Sequence, residues 1–199
     1  EHVKTSRYEH SVRVAEMCAR LCRLYGLDDD KGYLAGIGHD MCKDFSGEEL
    51  IKLSEKDGLP ISEYEKQNVF LLHGRAAAVL MREKFGIQDE DILEAVANHT
   101  SGFVGMGDLA KCLFLADKIE PGRPQSTDEY RERLLKMSLS ELIYTVLIEN
   151  YQYIKNKGYT IFPDTEKMVD YYKNYYKNHI NKNIDVSIFK NFLDHILVK

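Results

Sequence analysis

The chain has 199 residues, 44% of them hydrophobic, with a formal net charge of -5 and an isoelectric point near 5.8. These values predict one globular domain and exclude the strongly basic proteins that bind long nucleic acids or anionic lipid surfaces. No apolar run approaches the roughly 20 residues of a transmembrane helix, and no basic-then-apolar start resembles a signal peptide. We therefore expect a soluble cytoplasmic protein without a membrane partner.

Hydrophobic spacing and capping residues predict helices along the first half of the chain. The first runs from Arg7 to Tyr25 and the second from Lys31 to about Met41. Two capping boxes then open a short third helix and a longer fourth one, which runs on to His73-Gly74. The boxes are Ser46 with Glu49 and Ser62 with Glu65. A further helix is predicted from Arg75 to Phe85.

The second half continues the same pattern. We predict a helix capped by Asp89, a helix that ends before Pro121, a long helix opened by Ser138 and a last one that starts at Pro163. The four cysteines show no CxxC pair and no disulfide-like spacing, so we expect reduced thiols. They are Cys18, Cys22, Cys42 and Cys112.

Alternating apolar and polar residues bounded by hairpin turns are essentially absent, so the predicted fold class is all-α. We expect residues 1–182 to form a single helical bundle with one site where helix ends converge. Residues 183–199 are predicted as a helical tail of unknown packing. The tail packs back on the body or contacts another copy, which leaves a homodimer open.

Six residues that are costly to bury fall on, or at the end of, these apolar helical faces. They are His10, His39, Asp40, His73, His99 and Asp117. Buried imidazoles and carboxylates need a partner or a cation. One such histidine is usually a satisfied core residue, but six residues spread over five helical segments indicate a transition-metal site. Imidazole nitrogens and carboxylate oxygens suit such an ion and leave coordination positions for water and substrate.

This order of residues resembles the signature of the HD-domain metal-dependent phosphohydrolase superfamily, which has an all-helical fold. Four segments, with Arg123, bring the likeness closer to the bacterial YqeK-type family of symmetrical bis(nucleosyl)-tetraphosphatases, over about residues 7–172. They are Arg7-Tyr8-Glu9-His10, Leu34-Ala35-Gly36 leading to His39-Asp40 with Lys43-Asp44, Asn98-His99-Thr100 and Ala116-Asp117-Lys118-Ile119-Glu120-Pro121.

The resemblance implies a metal centre with iron as the cation, as one ion or two; manganese, cobalt, nickel and zinc remain possible. The implied ligands are His10, His39, Asp40 and Asp117. The residues implied in catalysis are Asp40, Lys43, His73 and His99. The residues implied in substrate binding are Arg7, His10, Asp40, His73, His99, Thr100, Asp117 and Arg123.

Several of these roles have alternatives. His73 and His99 either line a phosphate pocket or hold a second ion. Lys43 either places a positive charge at the leaving group or, like Arg75, is a solvated surface cation. Thr100 either donates to a phosphate or caps its helix.

The resemblance also implies the reaction, in which a metal-activated water splits diadenosine tetraphosphate symmetrically into two ADP molecules. The expected partners are therefore a small nucleotide substrate and its ADP product. The alternatives are another HD phosphohydrolase, such as a nucleotidase or a cyclic-dinucleotide phosphodiesterase, and a non-catalytic nucleotide-binding module. The glycines near residue 36 follow no strand and lack the GxGxxG order, so no dinucleotide-binding fingerprint is present.

Overall fold

The computed structural model describes residues 4–179, and this part of the chain is built from helices. The ten α-helices are α1 Thr5–Leu24, α2 Asp29–Gly38, α3 Gly47–Ser54, α4 Glu63–Gln67, α5 His73–Phe85, α6 Glu90–Asn98, α7 Asp108–Ile119, α8 Asp128–Leu134, α9 Leu139–Asn156 and α10 Pro163–His179. Two 3-10 turns, Glu55–Asp57 and Val69–Leu72, follow α3 and precede α5. No strand occurs in residues 4–179, which agrees with the all-α prediction.

Five helices form the group that positions the predicted site. Helix α1 packs along α2 and α7, and α2 also contacts α5 and α6. Helix α6 packs against both α5 and α7, while α9 covers α7 and is itself covered by α10. The side chains of Leu113, Phe114 and Leu115 on α7 are fully buried between these layers. The central helices therefore converge around α7.

The caps that the sequence predicts are formed. The capping boxes at Ser46, Ser62 and Ser138 each have both hydrogen bonds: the serine side chain accepts from the backbone N–H of the glutamate three residues later, and the glutamate side chain accepts from the backbone N–H of the serine. The side chain of Asp89 accepts from the first turn of α6. These caps fix where α3, α4, α6 and α9 begin, because they satisfy amide groups that the helix itself leaves unpaired.

The predicted long fourth helix is wrong, because the chain breaks into α4 and a separate 3-10 turn at Asn68. The side-chain amide of Asn68 donates to the carbonyl of Tyr64 at 2.9 Å, the acceptor that a continuing helix would use for the backbone N–H of Asn68. That N–H binds the carbonyl of Glu65 instead. The sequence prediction also missed α8, and it placed the end of α2 near Met41 rather than at Gly38.

Some expectations lie outside the described residues. The predicted tail, 183–199, and the domain boundary at residue 182 are among them, so both stay predictions. Within residues 4–179, no helix combines the length and the apolar character needed to cross a membrane.

Gly36 sets the distance between α1 and α2. A Cβ atom at Gly36 would lie 2.4 Å from the Cα of Ala15 and 2.8 Å from its backbone nitrogen. Backbone atoms cannot yield as a flexible side chain can. The two helices therefore approach as closely as they do only because residue 36 has no side chain.

We predict that Gly36→Ala lowers the free energy of unfolding by about 2 kcal/mol, because overpacking outweighs the gain in helix propensity. Urea unfolding followed by circular dichroism measures the change. Gly47→Ala is the matched control: it lies in the first turn of α3, and its Cβ would meet nothing closer than 3.4 Å. Equal stabilities for the two variants would contradict the close approach of α1 and α2.

Candidate metal centre and phosphate pocket

The structure brings the six predicted residues together at one point, from five helices. His10 lies on α1, and His39 follows α2 directly, with Asp40 next to it. His73 is the first residue of α5, His99 follows α6, and Asp117 lies in the last turn of α7. Their side chains are buried or largely buried. The positions agree with the predicted convergence of helix ends, while the individual roles stay predictions.

The first half of the cluster is a histidine and carboxylate group around Asp117. The Nε2 atom of His10 lies 3.2 Å from Oδ1 of Asp117, and Nε2 of His39 lies 3.9 Å from the same oxygen. Oδ2 of Asp40 is 3.8 Å from Nε2 of His39. The set His10, His39 and Asp117 has one ligand atom from each residue within 4.8 Å of the others, close enough to share an ion.

The second half lies on the other side of Asp40. Oδ1 of Asp40 is 3.2 Å from Nε2 of His73 and 3.5 Å from Nε2 of His99, and the two ring nitrogens are 3.0 Å apart. Nζ of Lys43 lies 2.9 Å from Nε2 of His73. The hydroxyl of Thr100 is within 3.3 Å of both rings. This half therefore combines imidazoles with an amine and a hydroxyl.

Three of the four histidines are oriented by the backbone. The Nδ1 atoms of His39, His73 and His99 lie 2.6, 2.6 and 2.8 Å from the carbonyl oxygens of Gly36, Phe70 and Val96. A carbonyl oxygen only accepts, so each Nδ1 carries a proton and each neutral ring keeps its lone pair on Nε2. All three lone pairs therefore face the cluster.

Two buried atoms of the cluster lack hydrogen bonds, which supports a cation at this point. Nε2 of His39 and Oδ1 of Asp40 are buried without a hydrogen-bond partner. Burial, and next the charge of His99, lower the pKa of His39 to about 3, so the ring is neutral near pH 7. Buried acceptors gathered in one cluster are costly unless a positive group lies among them. The donor set fits a divalent transition ion.

The neighbouring groups favour the charged carboxylates. Burial would raise the pKa of Asp40, but the positive charge of nearby groups, Lys43 among them, holds it well below its usual range. Burial likewise opposes ionisation of Asp117, yet the charge of Lys118 and the contact with His10 lower its pKa. Both carboxylates are therefore available as anionic ligands.

A cavity of about 320 Å³ opens onto the cluster. Basic residues at its wall are already paired with acids of the site. Arg7 donates to Asp40 at 3.0 Å and to Asp44 at 2.8 Å, and Arg123 donates to Oδ1 of Asp117 at 2.6 Å. The residues that line the cavity are Ser6, Arg7, His10, Asp40, Lys43, His99, Thr100, Asp117 and Arg123.

Sequence reasoning missed three participants in this network. Glu120 accepts from His10 and from Arg13, and Lys118 donates to Asp117 at 3.3 Å while lying over the ring of Phe114. Asp117 and Glu120 lie on the same side of the end of α7, three residues apart. This spacing was the sequence signal that could have identified Glu120 as part of the site. Arg75 lies apart from the cluster and pairs with Asp57 and Glu65.

Comparison with known proteins places this chain in a family. The model of the HD domain matches residues 7–122, more than half of the chain. The chain belongs to the HD domain family. That fold implies a divalent metal ion, in agreement with the histidine and aspartate groups described above.

Relatives of the HD domain family refine the likeness. The chain is 36% identical over 169 residues to a symmetrical bis(5'-nucleosyl)-tetraphosphatase of Halalkalibacterium halodurans, covering 82% of this chain and 87% of that protein. A protein of the same name from Staphylococcus aureus is 34% identical over 180 residues, covering 86% and 89%. The predicted resemblance to the YqeK-type family and the predicted hydrolase class are confirmed.

A solved structure of the same superfamily is similar to this chain over most of its length. It is a predicted HD superfamily hydrolase involved in NAD metabolism from Clostridium acetobutylicum, 30% identical, with a TM-score of 0.79. The alignment covers 86% of this chain and 91% of that one. The all-α fold predicted from the sequence is confirmed by this match.

We predict that the metal-free protein loses stability as the pH falls from about 6.5 to about 3, in part through His39. In this window the unfolded ring, with a pKa of 6.5, binds a proton that the folded ring, with a pKa of about 3, does not. Protonation therefore favours the unfolded chain, and His39 contributes a slope of at most about 1.4 kcal/mol per pH unit.

Urea unfolding between pH 4 and pH 7 measures this slope. His39→Asn is the matched variant, because an amide N–H can still donate to the carbonyl of Gly36 and does not titrate. The difference between the two slopes isolates the contribution of His39. Parallel curves for the two proteins would contradict a neutral, buried His39.

Proposed function

We propose that this chain hydrolyses diadenosine tetraphosphate symmetrically and releases two molecules of ADP. The observation that carries the proposal is the meeting of buried imidazoles and carboxylates with lysine and arginine side chains around one cavity. Metal ligands and phosphate-binding cations thus share one site, the combination that hydrolysis of a phosphoric anhydride requires. The names of the relatives in two bacteria supply the substrate and the symmetry of the cleavage.

Within this proposal, the metal is held by His10, His39, Asp40 and Asp117. When bound, a divalent cation lowers the pKa of a coordinated water and offsets the charge on the phosphoryl oxygens. His73 and His99 either line the adjoining phosphate pocket or hold a second ion.

The cations of the site bind and orient the polyphosphate. Arg7 and Arg123 lie at the cavity wall, and a guanidinium can grip phosphate oxygens in bidentate fashion. Lys43 lies on the His73 side, where its positive charge stabilises the departing ADP. A fixed charge suffices there, because a terminal phosphate leaves as an anion near neutral pH. Thr100 can donate to a phosphate oxygen from the same wall.

Products decide between this function and its enzymatic alternatives. We expect the metal-loaded protein to convert diadenosine tetraphosphate into ADP alone, measured by anion-exchange chromatography. In ¹⁸O-labelled water, one ADP of each pair gains one label on its terminal phosphate. AMP with ATP would indicate asymmetric cleavage. Cleavage of other nucleotides alone would favour another HD phosphohydrolase, and binding without turnover would favour a binding module.

Asp40→Asn is the variant that tests the site in the same assay. The substitution removes a negative charge with little change of size, so we expect loss of bound metal and at least a 100-fold loss of turnover while the helical content is kept. Asp57→Asn is the matched control, because it removes an aspartate paired with an arginine outside the cluster. Retained turnover in Asp40→Asn would count against Asp40 as a ligand.

Arg123→Ala tests the role in substrate binding. We expect KM for diadenosine tetraphosphate to rise about tenfold or more, with a smaller change in kcat, because one grip on the polyphosphate is lost. The loss of its hydrogen bond to Asp117 accounts for the change in kcat. Arg82→Ala, which breaks an exposed pair with Glu90, is the control. An unchanged KM in Arg123→Ala would argue against contact with the substrate.

Iron as the resident metal, a homodimer and a cytoplasmic location remain predictions from the sequence. The division into an HD phosphohydrolase domain, 1–182, and a tail, 183–199, is likewise part of the proposal. Metal analysis of protein purified without added ions tests the first of these directly.

A further inference from the structure

His10 differs from the other three histidines in what holds its ring. Each of the others lies at the end or the start of a helix, where the carbonyl three residues before it lies within reach of Nδ1 and accepts from it. His10 lies inside α1, where the corresponding carbonyl, of Arg7, accepts from the backbone of the next turn. Its Nδ1 therefore needs a partner from elsewhere in the chain.

Glu120 supplies that partner from the end of α7. Its Oε1 lies 3.1 Å from Nδ1 of His10, and only 1% of the residue is exposed. A carboxylate oxygen accepts, so Nδ1 of His10 carries a proton that it donates to Glu120, and the lone pair is on Nε2 once a cation takes the place of a proton there. Nε2 is the atom that lies 3.2 Å from Asp117. The contact thus turns Nε2 of His10 toward the cluster.

The other oxygen of Glu120 is fixed by two donors. Nε of Arg13, one turn beyond His10 on α1, donates to Oε2 at 2.6 Å, and the backbone N–H of Gly122 donates to it at 2.5 Å. A Cβ atom at Gly122 would lie 2.5 Å from Nε of Arg13, so any larger residue here would displace the guanidinium from this position. Both oxygens of this buried carboxylate are therefore committed.

The local sequence explains where Glu120 points. Pro121 restricts the residue before it to an extended backbone, and Glu120 has φ -58° and ψ 151°. The chain leaves α7 at this point, which turns the carboxylate back toward α1. Asp117 lies on the same side, three residues earlier. The single stretch from Asp117 to Gly122 thereby contacts both nitrogens of the His10 ring.

We propose that Glu120 is a positioning residue for the metal centre, which fixes His10 as the ligand with its lone pair on Nε2, and that Arg13 positions Glu120 in turn. The proposal rests on the proposed function only through the metal site and concerns binding of the ion before any substrate is present. Partners of this kind, bonded to the far nitrogen of a metal-binding histidine, typically change metal affinity 10- to 100-fold.

Glu120→Gln is the decisive variant, because it keeps size and changes only one end of the side chain. Arg13 and the amide of Gly122 require an acceptor, so the amide oxygen takes the place of Oε2 and the NH2 group faces His10. Nδ1 must then accept, and the proton moves to Nε2, the nitrogen that would bind metal. A role in packing alone would not move this proton.

Two measurements read the change on the full chain. Long-range ¹H–¹⁵N NMR of the metal-free protein reports which nitrogen of His10 carries the proton, with the signal assigned by its loss in His10→Gln. We expect a proton on Nδ1 in the parent protein, whether or not Nε2 also donates one to Asp117, and a proton on Nε2 alone in Glu120→Gln. Co²⁺ titration, followed by its visible absorption, should give a Kd raised about 10- to 100-fold in Glu120→Gln.

Two further variants complete the design. Glu65→Gln is the matched control, since it removes a carboxylate paired with Arg75 away from the cluster, and its Co²⁺ affinity should equal that of the parent. Arg13→Ala leaves Glu120 in place but frees its Oε2 from one donor, so we expect a smaller rise in Kd, several-fold. Arg13→Ala decides the matter if Glu120→Gln does not fold.

The proposal is overturned if His10 keeps its proton on Nδ1 in Glu120→Gln, or if folded variants at Glu120 and Arg13 bind Co²⁺ within twofold of the parent. Both readouts are independent of nucleotide. A parent protein that releases AMP and ATP would end the proposed function and leave this test standing. Symmetric cleavage with unchanged Co²⁺ binding in the variants would end this proposal alone.

Discussion

The structure depends on gathering negative and electron-rich atoms in a place that water hardly reaches. His39 and His73 are fully buried, and Asp40 lies between them with both oxygens turned to ring nitrogens. The carboxylate oxygens and the imidazole lone pairs repel one another unless a positive charge lies among them. The protein supplies part of that charge with Arg7, Lys43 and other cations at the edge. The histidine and aspartate groups leave a place where a divalent ion can supply the rest.

Helix termini make this gathering possible. A carbonyl at the end of a helix has no amide of its own to bind, and His39 and His99 each use one to fix the ring. The same backbone that ends the helix therefore selects the tautomer. His10, in the middle of its helix, requires a carboxylate from another helix to achieve the same orientation. Local and long-range contacts thus reach one result by different means.

The sequence predicted the features that depend on residue type and short spacing. The all-α class, the three serine capping boxes and the six residues of the cluster follow from periodicity, from local hydrogen bonding and from the cost of burial. The likeness to the HD superfamily added the family and the hydrolase class, which the comparisons confirm. Each of these signals lies within a few residues, or in residues that are out of place on an apolar face.

Other features depend on competition between side chain and backbone for one acceptor, or on contacts between residues far apart in the sequence. Short sequence patterns do not predict these. The break at Asn68 arises because a side-chain amide takes a carbonyl that the helix would use, and either outcome suits the same sequence pattern. The pairing of Glu120 with His10 joins residues that are 110 positions apart. Nothing in the sequence around Arg7 and Arg123 indicates that their side chains pair with Asp40 and Asp117.

Asp40 is the one carboxylate shared by the two halves of the cluster, with Oδ2 toward His39 and Oδ1 toward His73. Both oxygens turn about a single bond, so neither can be moved without moving the other. A movement of Asp40 in one half of the cluster therefore also changes its contacts in the other half. A change on the Lys43 side of the site, made for instance to accept a different phosphate ester, would shift Asp40 and with it the contact between Asp40 and His39. Selectivity and ligand geometry cannot be tuned separately here, and redesign would have to begin elsewhere on the cavity wall.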